Sequence, residues 1–397
     1  MKRLAAFVFA IALFSCNGND SPEPQIVPEV LKESTVVSTR SKDELTTFIQ
    51  SRGLPIPSSE IRSSVTVYKI TYKTTFKGNE ITASSLVALP DTDDEVAMVS
   101  FQHGTISANA EAPTFTPASS DLMSFYASMA TAGFIGVVPD LIGFGASSDI
   151  LHPYYLEQPT ADAIIDALKA ARELALTKGI DFNGRLFLAG YSQGGYATMA
   201  AHKAIESTNP EHFQLIASFP ASGGYDIKGV QEFFFEQTEY DQPFYLAFVA
   251  MAYKTHMSWT QPLTDLFQEP YASRIPDLFD GLNSSDDIND ELTTDIPELI
   301  QPDILANIDT DPKYDYINDA FAENSLTDWT PKTLMFMYHG DIDTTVPYQN
   351  SVEVYNKFIA NGASKEIVTF TPLPFATHES GVTPYLTNFI NKILILK

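Results

Sequence analysis

A serine flanked by glycines, Gly190-Tyr191-Ser192-Gln193-Gly194, stands where the apolar run 186–189 gives way to the helix-tolerant stretch 196–203. Strand, sharp turn and helix with Gly-x-Ser-x-Gly at the turn present a serine hydroxyl as a nucleophile. The glycines have a steric reason, because a tight elbow leaves no room for bulky Cβ groups where strand and helix approach. A serine hydroxyl is a poor nucleophile at neutral pH, so it needs a base, and the base needs an orienting carboxylate. Both kinds of group occur downstream. The apolar run 334–338 leads into His339-Gly340-Asp341-Ile342-Asp343-Thr344-Thr345-Val346-Pro347, which carries two carboxylates, and after it the chain holds a single histidine, His378. The histidines at 103, 152, 202, 212 and 256 lack the His-x-x-x-His spacing of a zinc site, and no metal is expected.

A tetrahedral intermediate at Ser192 also needs donors for its oxyanion. The backbone N–H of Gln193, the residue after the nucleophile, is expected to be one. Ser100-Phe101-Gln102-His103-Gly104-Thr105 offers the second. Gly104 lets the backbone turn so that the amide of Thr105, ahead of that of Ile106, points into the site.

Strands and helices must carry these groups. Ser41 and Glu44 form an S-x-x-E capping pattern that predicts a short helix. Residues 65–76 and 81–89 are β-branched and partly alternating, and Lys77-Gly78-Asn79 between them predicts an antiparallel hairpin. From residue 96, apolar runs at 96–101, 134–138, 186–189, 213–219, 334–338 and 367–370 alternate with helix-length segments at 121–132, 160–176, 352–360 and 384–396. Thr160 is the expected cap of the second of these helices. Continuous apolar strands with intervening helices describe an α/β protein, a mostly parallel sheet flanked by helices on both faces.

Residues 225–331 interrupt that alternation. They hold 22 Asp and Glu against four Lys and Arg, so −18 of the chain's formal −26 sits there, with 17 of its 47 aromatics. Residues 244–253 within this segment carry no charge. The run Asp286-Asp287-Ile288-Asn289-Asp290-Glu291 lacks the glycine and spacing of a calcium loop and reads as a solvated acidic loop.

The totals exclude some functions. At 397 residues with 44% hydrophobic content, the chain is long enough for one large core with an insertion. A charge of −26 opposes binding to nucleic acid and to anionic lipid surfaces. Residues 1–16 read as a lipoprotein signal peptide: Lys2-Arg3, then an apolar stretch too short to span a bilayer, then Leu13-Phe14-Ser15-Cys16, which resembles a bacterial lipobox. Cys16, the only cysteine, is the expected lipidation site of an exported, envelope-anchored protein, the alternative being an ordinary signal peptide with an incidental cysteine. Residues 17–40 read as a flexible tether, with three prolines among 17–30.

His339 to Pro347 resembles the HGxxDxxVP acid loop of α/β-hydrolases, which implies Asp343 as the acid, Asp341 as its neighbour and His339 as a structural histidine. With the order Ser192, Asp343, His378, the chain resembles that superfamily as a whole. Several stretches narrow the likeness to the secretory lipases of the fungal lipase A type: His103-Gly104-Thr105, Pro139 to Gly145 (PDLIGFG), His152-Pro153-Tyr154-Tyr155 with the Ala-rich helix after it, and the elbow. The resemblance covers roughly residues 85–390. It implies an α/β-hydrolase core over 41–224 and 332–397, a mainly helical cap over 225–331, no cofactor, and hydrolysis of carboxylic esters. Asp140 and His152 are then loop-fixing residues, while Tyr191, Phe244 and Phe248 are expected to contact an acyl substrate. The expected partner is a small-molecule or lipid ester, and a membrane is met only through the N-terminal anchor. Alternatives are an acetyl or feruloyl esterase on polysaccharide, a serine peptidase on the same fold, and an inactive binding lipoprotein.

Overall fold

The structure is a computed structural model and describes residues 28–397. The signal segment, Cys16 and residues 17–27 of the tether lie outside the described residues.

Nine strands form one sheet: β1 (Leu31–Arg40), β2 (Val65–Phe76), β3 (Asn79–Pro90), β4 (Val96–Gln102), β5 (Phe134–Pro139), β6 (Phe182–Tyr191), β7 (Gln214–Ala221), β8 (Leu334–Gly340) and β9 (Val368–Leu373). Their spatial order is β1-β2-β3-β5-β4-β6-β7-β8-β9. The first three and β5 pair antiparallel, and from β5 to β9 every pairing is parallel. This is the α/β-hydrolase architecture that the sequence predicts. The β2–β3 hairpin turns at Lys77 and Gly78 with φ of 49° and 76°, positive at both central positions as a tight two-residue hairpin requires.

Helices cover both faces: α1 (Lys42–Ser51), α2 (Asp121–Thr131), α3 (Glu157–Thr177) and α4 (Gln193–Thr208), then, near the C-terminus, the helices Tyr348–Ala360 and Val382–Leu396. The strands carry the period-2 alternation into two cores. Phe187 and Ala189 of β6 pack with α1, α2 and the last helix, while Leu186 and Leu188 pack with α3 and α4. Ser41 caps α1 in the expected box, accepting from Glu44 N while the Glu44 carboxylate accepts from Ser41 N at 2.7 Å.

Two boundaries differ from the sequence reading. Residues 31–40, expected as tether, form the edge strand β1, whose start is tied to α3 through Leu31 N–H donating to Glu173 at 2.7 Å. Its side chains are mostly exposed, so it lacks the apolar alternation that marks a strand. Helix α3 begins at Glu157 rather than Thr160. The Thr160 hydroxyl bonds back to Leu156 O at 2.7 Å, which is a mid-helix use of threonine and not a cap.

Between β7 and β8 run seven helices: α5 (Ile227–Phe235), α6 (Phe244–His256), α7 (Tyr271–Leu278), α8 (Ser285–Asp290), α9 (Ile296–Leu299), α10 (Pro302–Asn307) and α11 (Asp315–Asn324). The C-terminal pair named above is thus α12 and α13. The stretch read as an acidic loop is largely α8, whose capping box pairs Ser284 with the Asp287 carboxylate. The segment's aromatics and isoleucines share one core with α12, so it packs on the body of the fold.

Candidate active site

The elbow is built by close approach. A Cβ on Gly194 would strike the carbonyl of Gln102, and one on Gly190 would strike the carbonyl of Gly194. Ser192 itself has φ 60° and ψ −126°, a strained conformation costing on the order of 1–3 kcal/mol. Gly194→Val is accordingly expected to lower thermal stability by at least about 2 kcal/mol and to abolish ester hydrolysis, read by thermal unfolding and a p-nitrophenyl ester assay.

The three side chains proposed from the sequence meet in one line. Ser192 Oγ lies 2.9 Å from His378 Nε2, and His378 Nδ1 lies 2.7 Å from Asp343 Oδ2. A carboxylate only accepts, so Nδ1 carries the proton and Nε2 accepts from the serine, the arrangement a general base requires. Asp343 Oδ1 accepts from the backbone N–H groups of Thr345 and Val346 at 2.9 and 3.0 Å. Burial alone would raise the Asp343 pKa, but the neighbouring imidazoles of His339 and His378 outweigh it and hold the group at about 2. His339 therefore sits beside the catalytic-acid candidate itself, and Asp341, the neighbouring carboxylate, accepts from Phe375 N at 2.6 Å and ties the acid loop to the His378 loop.

Around the serine, Gln193 is the first residue of α4, so its N–H has no acceptor within the helix. Its side chain is fixed instead: Gln193 Nε2 donates to His152 Nε2 at 2.5 Å, while His152 Nδ1 donates to Ile142 O. Burial pushes His152 down to about 3, which keeps the ring neutral and able to accept. Gly104 lies against the elbow, a Cβ there falling 3.8 Å from Ser192 Cβ, and the Thr105 hydroxyl bonds Tyr154 Oη at 2.8 Å. Asp140 is fully buried and accepts from Ser84 and Thr114, a loop-fixing network.

Ser192 opens into an apolar cavity of about 120 Å³ whose walls come from α5, α6, α10 and α11, together with Tyr154, Tyr155, Thr345 and Val346. The helix α6 lines it, but not through the expected residues. Tyr245, Leu246, Val249 and Ala250 face the cavity, whereas Phe244 is buried on another side and Phe248 stacks between Tyr154 (4.4 Å) and Phe279 (4.8 Å). A helix apolar all round gives no phase, so the sequence could not say which side meets the site. Tyr191 is also placed elsewhere: its hydroxyl donates to His378 O at 2.7 Å and holds the base loop. The walls from α5, α10 and α11 were missed, because ordinary Ile and Phe at helical spacing carry no mark of a ligand site. Among the described residues no group of three or more His, Cys, Asp or Glu side chains is arranged to hold a metal ion.

Residues 108–233 match the secretory lipase family. That span runs from before α2 into α5 and includes Ser192, but not Asp343 or His378. No curated protein matches the chain. Among solved structures, a protein of Legionella pneumophila provisionally assigned as a hydrolase is 26% identical, with a TM-score of 0.81 over 92% of this chain and 98% of that one. The rice cell wall degrading esterase LipA of Xanthomonas oryzae is 23% identical, with a TM-score of 0.78 over 92% and 96%. Candida antarctica lipase A in its closed state is 15% identical, with a TM-score of 0.65 over 92% and 81%. At these last two identities the likeness speaks for the fold. With the match over residues 108–233, the chain is an α/β-hydrolase-fold enzyme of carboxylic ester hydrolysis.

Proposed function

We propose that the protein is a serine hydrolase of acyl esters. Ser192 attacks the ester carbonyl, His378 takes the serine proton and returns it to the leaving alcohol, and Asp343 holds the imidazole and stabilises its charged form. Water then hydrolyses the acyl-enzyme by the same groups. The backbone N–H groups of Gln193 and Thr105 receive the oxyanion, each worth about 3 kcal/mol of transition-state stabilisation. Residues 225–331 act as a cap, and their cavity wall receives the acyl chain. The observation that carries this reading is the Ser192–His378–Asp343 line opening into an apolar cavity.

Labelling by a fluorophosphonate probe tests it. Wild type should label at Ser192 and Ser192→Ala should not; an unlabelled wild type would sink the proposal. A series of p-nitrophenyl esters beside feruloyl and acetylated sugar esters then reads the substrate, and a strong preference for the sugar esters would replace the acyl-chain reading. Val249→Trp, which fills the cavity from α6, is expected to lower kcat/KM for long acyl chains by about tenfold to a hundredfold relative to acetate esters. Equal losses across the series would place the acyl chain elsewhere.

The N-terminal reading extends the proposal to a lipid anchor on Cys16. Cys16→Ser should release the protein from a membrane fraction and abolish incorporation of labelled fatty acid; retention of both would refute the anchor.

A further inference from the structure

His339 was expected to be a structural strand-end histidine, and its surroundings assign it more. It is the penultimate residue of β8, is completely buried, and both ring nitrogens are engaged. Nε2 lies 3.0 Å from Val346 O and 3.2 Å from Asp343 Oδ2, and Nδ1 lies 2.6 Å from Ser351 Oγ on α12. A carbonyl oxygen only accepts, so Nε2 bears the proton and Nδ1 accepts from the Ser351 hydroxyl. The tautomer is thereby fixed with its N–H on Val346 O, beside the acid.

We infer that His339 is a positioning residue for the triad: its Nε2–H donates to Val346 O on the acid loop and stands 3.2 Å from the Asp343 oxygen that takes the Nδ1–H of His378. The inference rests on the triad reading above. Asp343 has three donors, two backbone N–H groups on Oδ1 and His378 on Oδ2, and the His339 N–H adds its dipole 3.2 Å from Oδ2. Donors to a carboxylate stabilise its charged form and lower its proton affinity. A less basic Asp343 pulls less on the Nδ1 proton of His378. His339 thus sets how far into acid the enzyme works, without touching substrate.

Other ionisable groups near this pair are few. Asp343 faces His339 and His378, with the phenols of Tyr155, Tyr191, Tyr240 and Tyr245 within electrostatic range. His339 also faces the ring of Tyr348, at 5.9 Å. His378 faces Ser192, Asp343 and Tyr191, with Glu379 beside it in sequence and Asp341 bonded to its loop.

The test is the pH dependence of kcat/KM for a p-nitrophenyl ester, whose acid limb reports the base of the free enzyme. His339→Leu removes the donor and should move the acid limb upward by about half a pH unit or more, with KM within about a factor of two. His339→Gln keeps an N–H donor and should return the limb toward wild type. Ser351→Ala unlocks the tautomer and should move the limb in the same direction by less; it decides the matter if His339→Leu does not fold. A limb coincident with wild type in the folded His339→Leu and Ser351→Ala enzymes overturns the inference, whatever their melting temperatures. Fluorophosphonate labelling separates the two claims: labelled enzymes with an unmoved limb remove the role of His339 alone, whereas an unlabelled wild type removes the triad beneath it.

Discussion

Ser192→Ala and His378→Ala are each expected to lower kcat for ester hydrolysis by about four to six orders of magnitude. The two losses should not add. Serine and imidazole act as one unit, joined by a 2.9 Å hydrogen bond, so the double variant should be about as slow as either single one. Substrate affinity should change little, because the cavity walls are untouched. The residual rate over water would come from the oxyanion donors and from binding. Both variants should fold. Alanine at 192 must adopt the same φ of 60°, but it meets no contact that serine does not already make. Steady-state kinetics with circular dichroism of each variant gives the comparison, and a Ser192→Ala enzyme within tenfold of wild type would be incompatible with the proposed chemistry.

Asp343→Asn should lower kcat by about ten-thousandfold while leaving the fold in place. An amide at 343 can still occupy the site between Thr345, Val346 and the two imidazoles, but one of its two terminal atoms becomes a donor. With Oδ1 kept toward the backbone N–H groups, the amide NH₂ faces His378, while the His339 N–H stays on Val346 O. His378 must then turn its proton to Nε2, toward Ser192, which is the wrong tautomer for a base. The charge that stabilises the imidazolium also goes. A pH consequence follows with it. Asp343 is held at about 2, below an unfolded value of about 3.9, so its ionisation contributes stability that is present above pH 4 and lost as pH falls through 2. Acid titrations of stability for wild type and Asp343→Asn should therefore converge toward pH 2, and parallel curves would contradict the environment assigned to this carboxylate.

The elements that were legible in the sequence are those whose signal is local. The Ser41–Glu44 box and the Lys77-Gly78 turn each depend on a few neighbouring residues, and both appear where expected. So do the elbow and the loops around Asp343 and His378, because their glycines, prolines and chain order mark them without reference to distant partners. Edge strand β1 was lost to the tether reading, since an edge strand exposing most side chains shows no apolar alternation. Helix α3 lost its first turn because a threonine cap and a threonine bonding back to Leu156 look alike in one dimension.

By itself the sequence determined the reaction type: a serine in an elbow, and a carboxylate and a histidine in the right order, are chemistry written in residue identities. Only the tertiary structure decided what surrounds them. It turned Val249 and not Phe248 toward Ser192, put Tyr191 to holding the base loop, brought α5, α10 and α11 into the cavity wall, and set a second imidazole beside Asp343. The physical reason is common to all four. Which face of an apolar helix meets a site, and which buried polar groups share a hydrogen bond, depends on packing between segments far apart in the chain, and no local pattern encodes it.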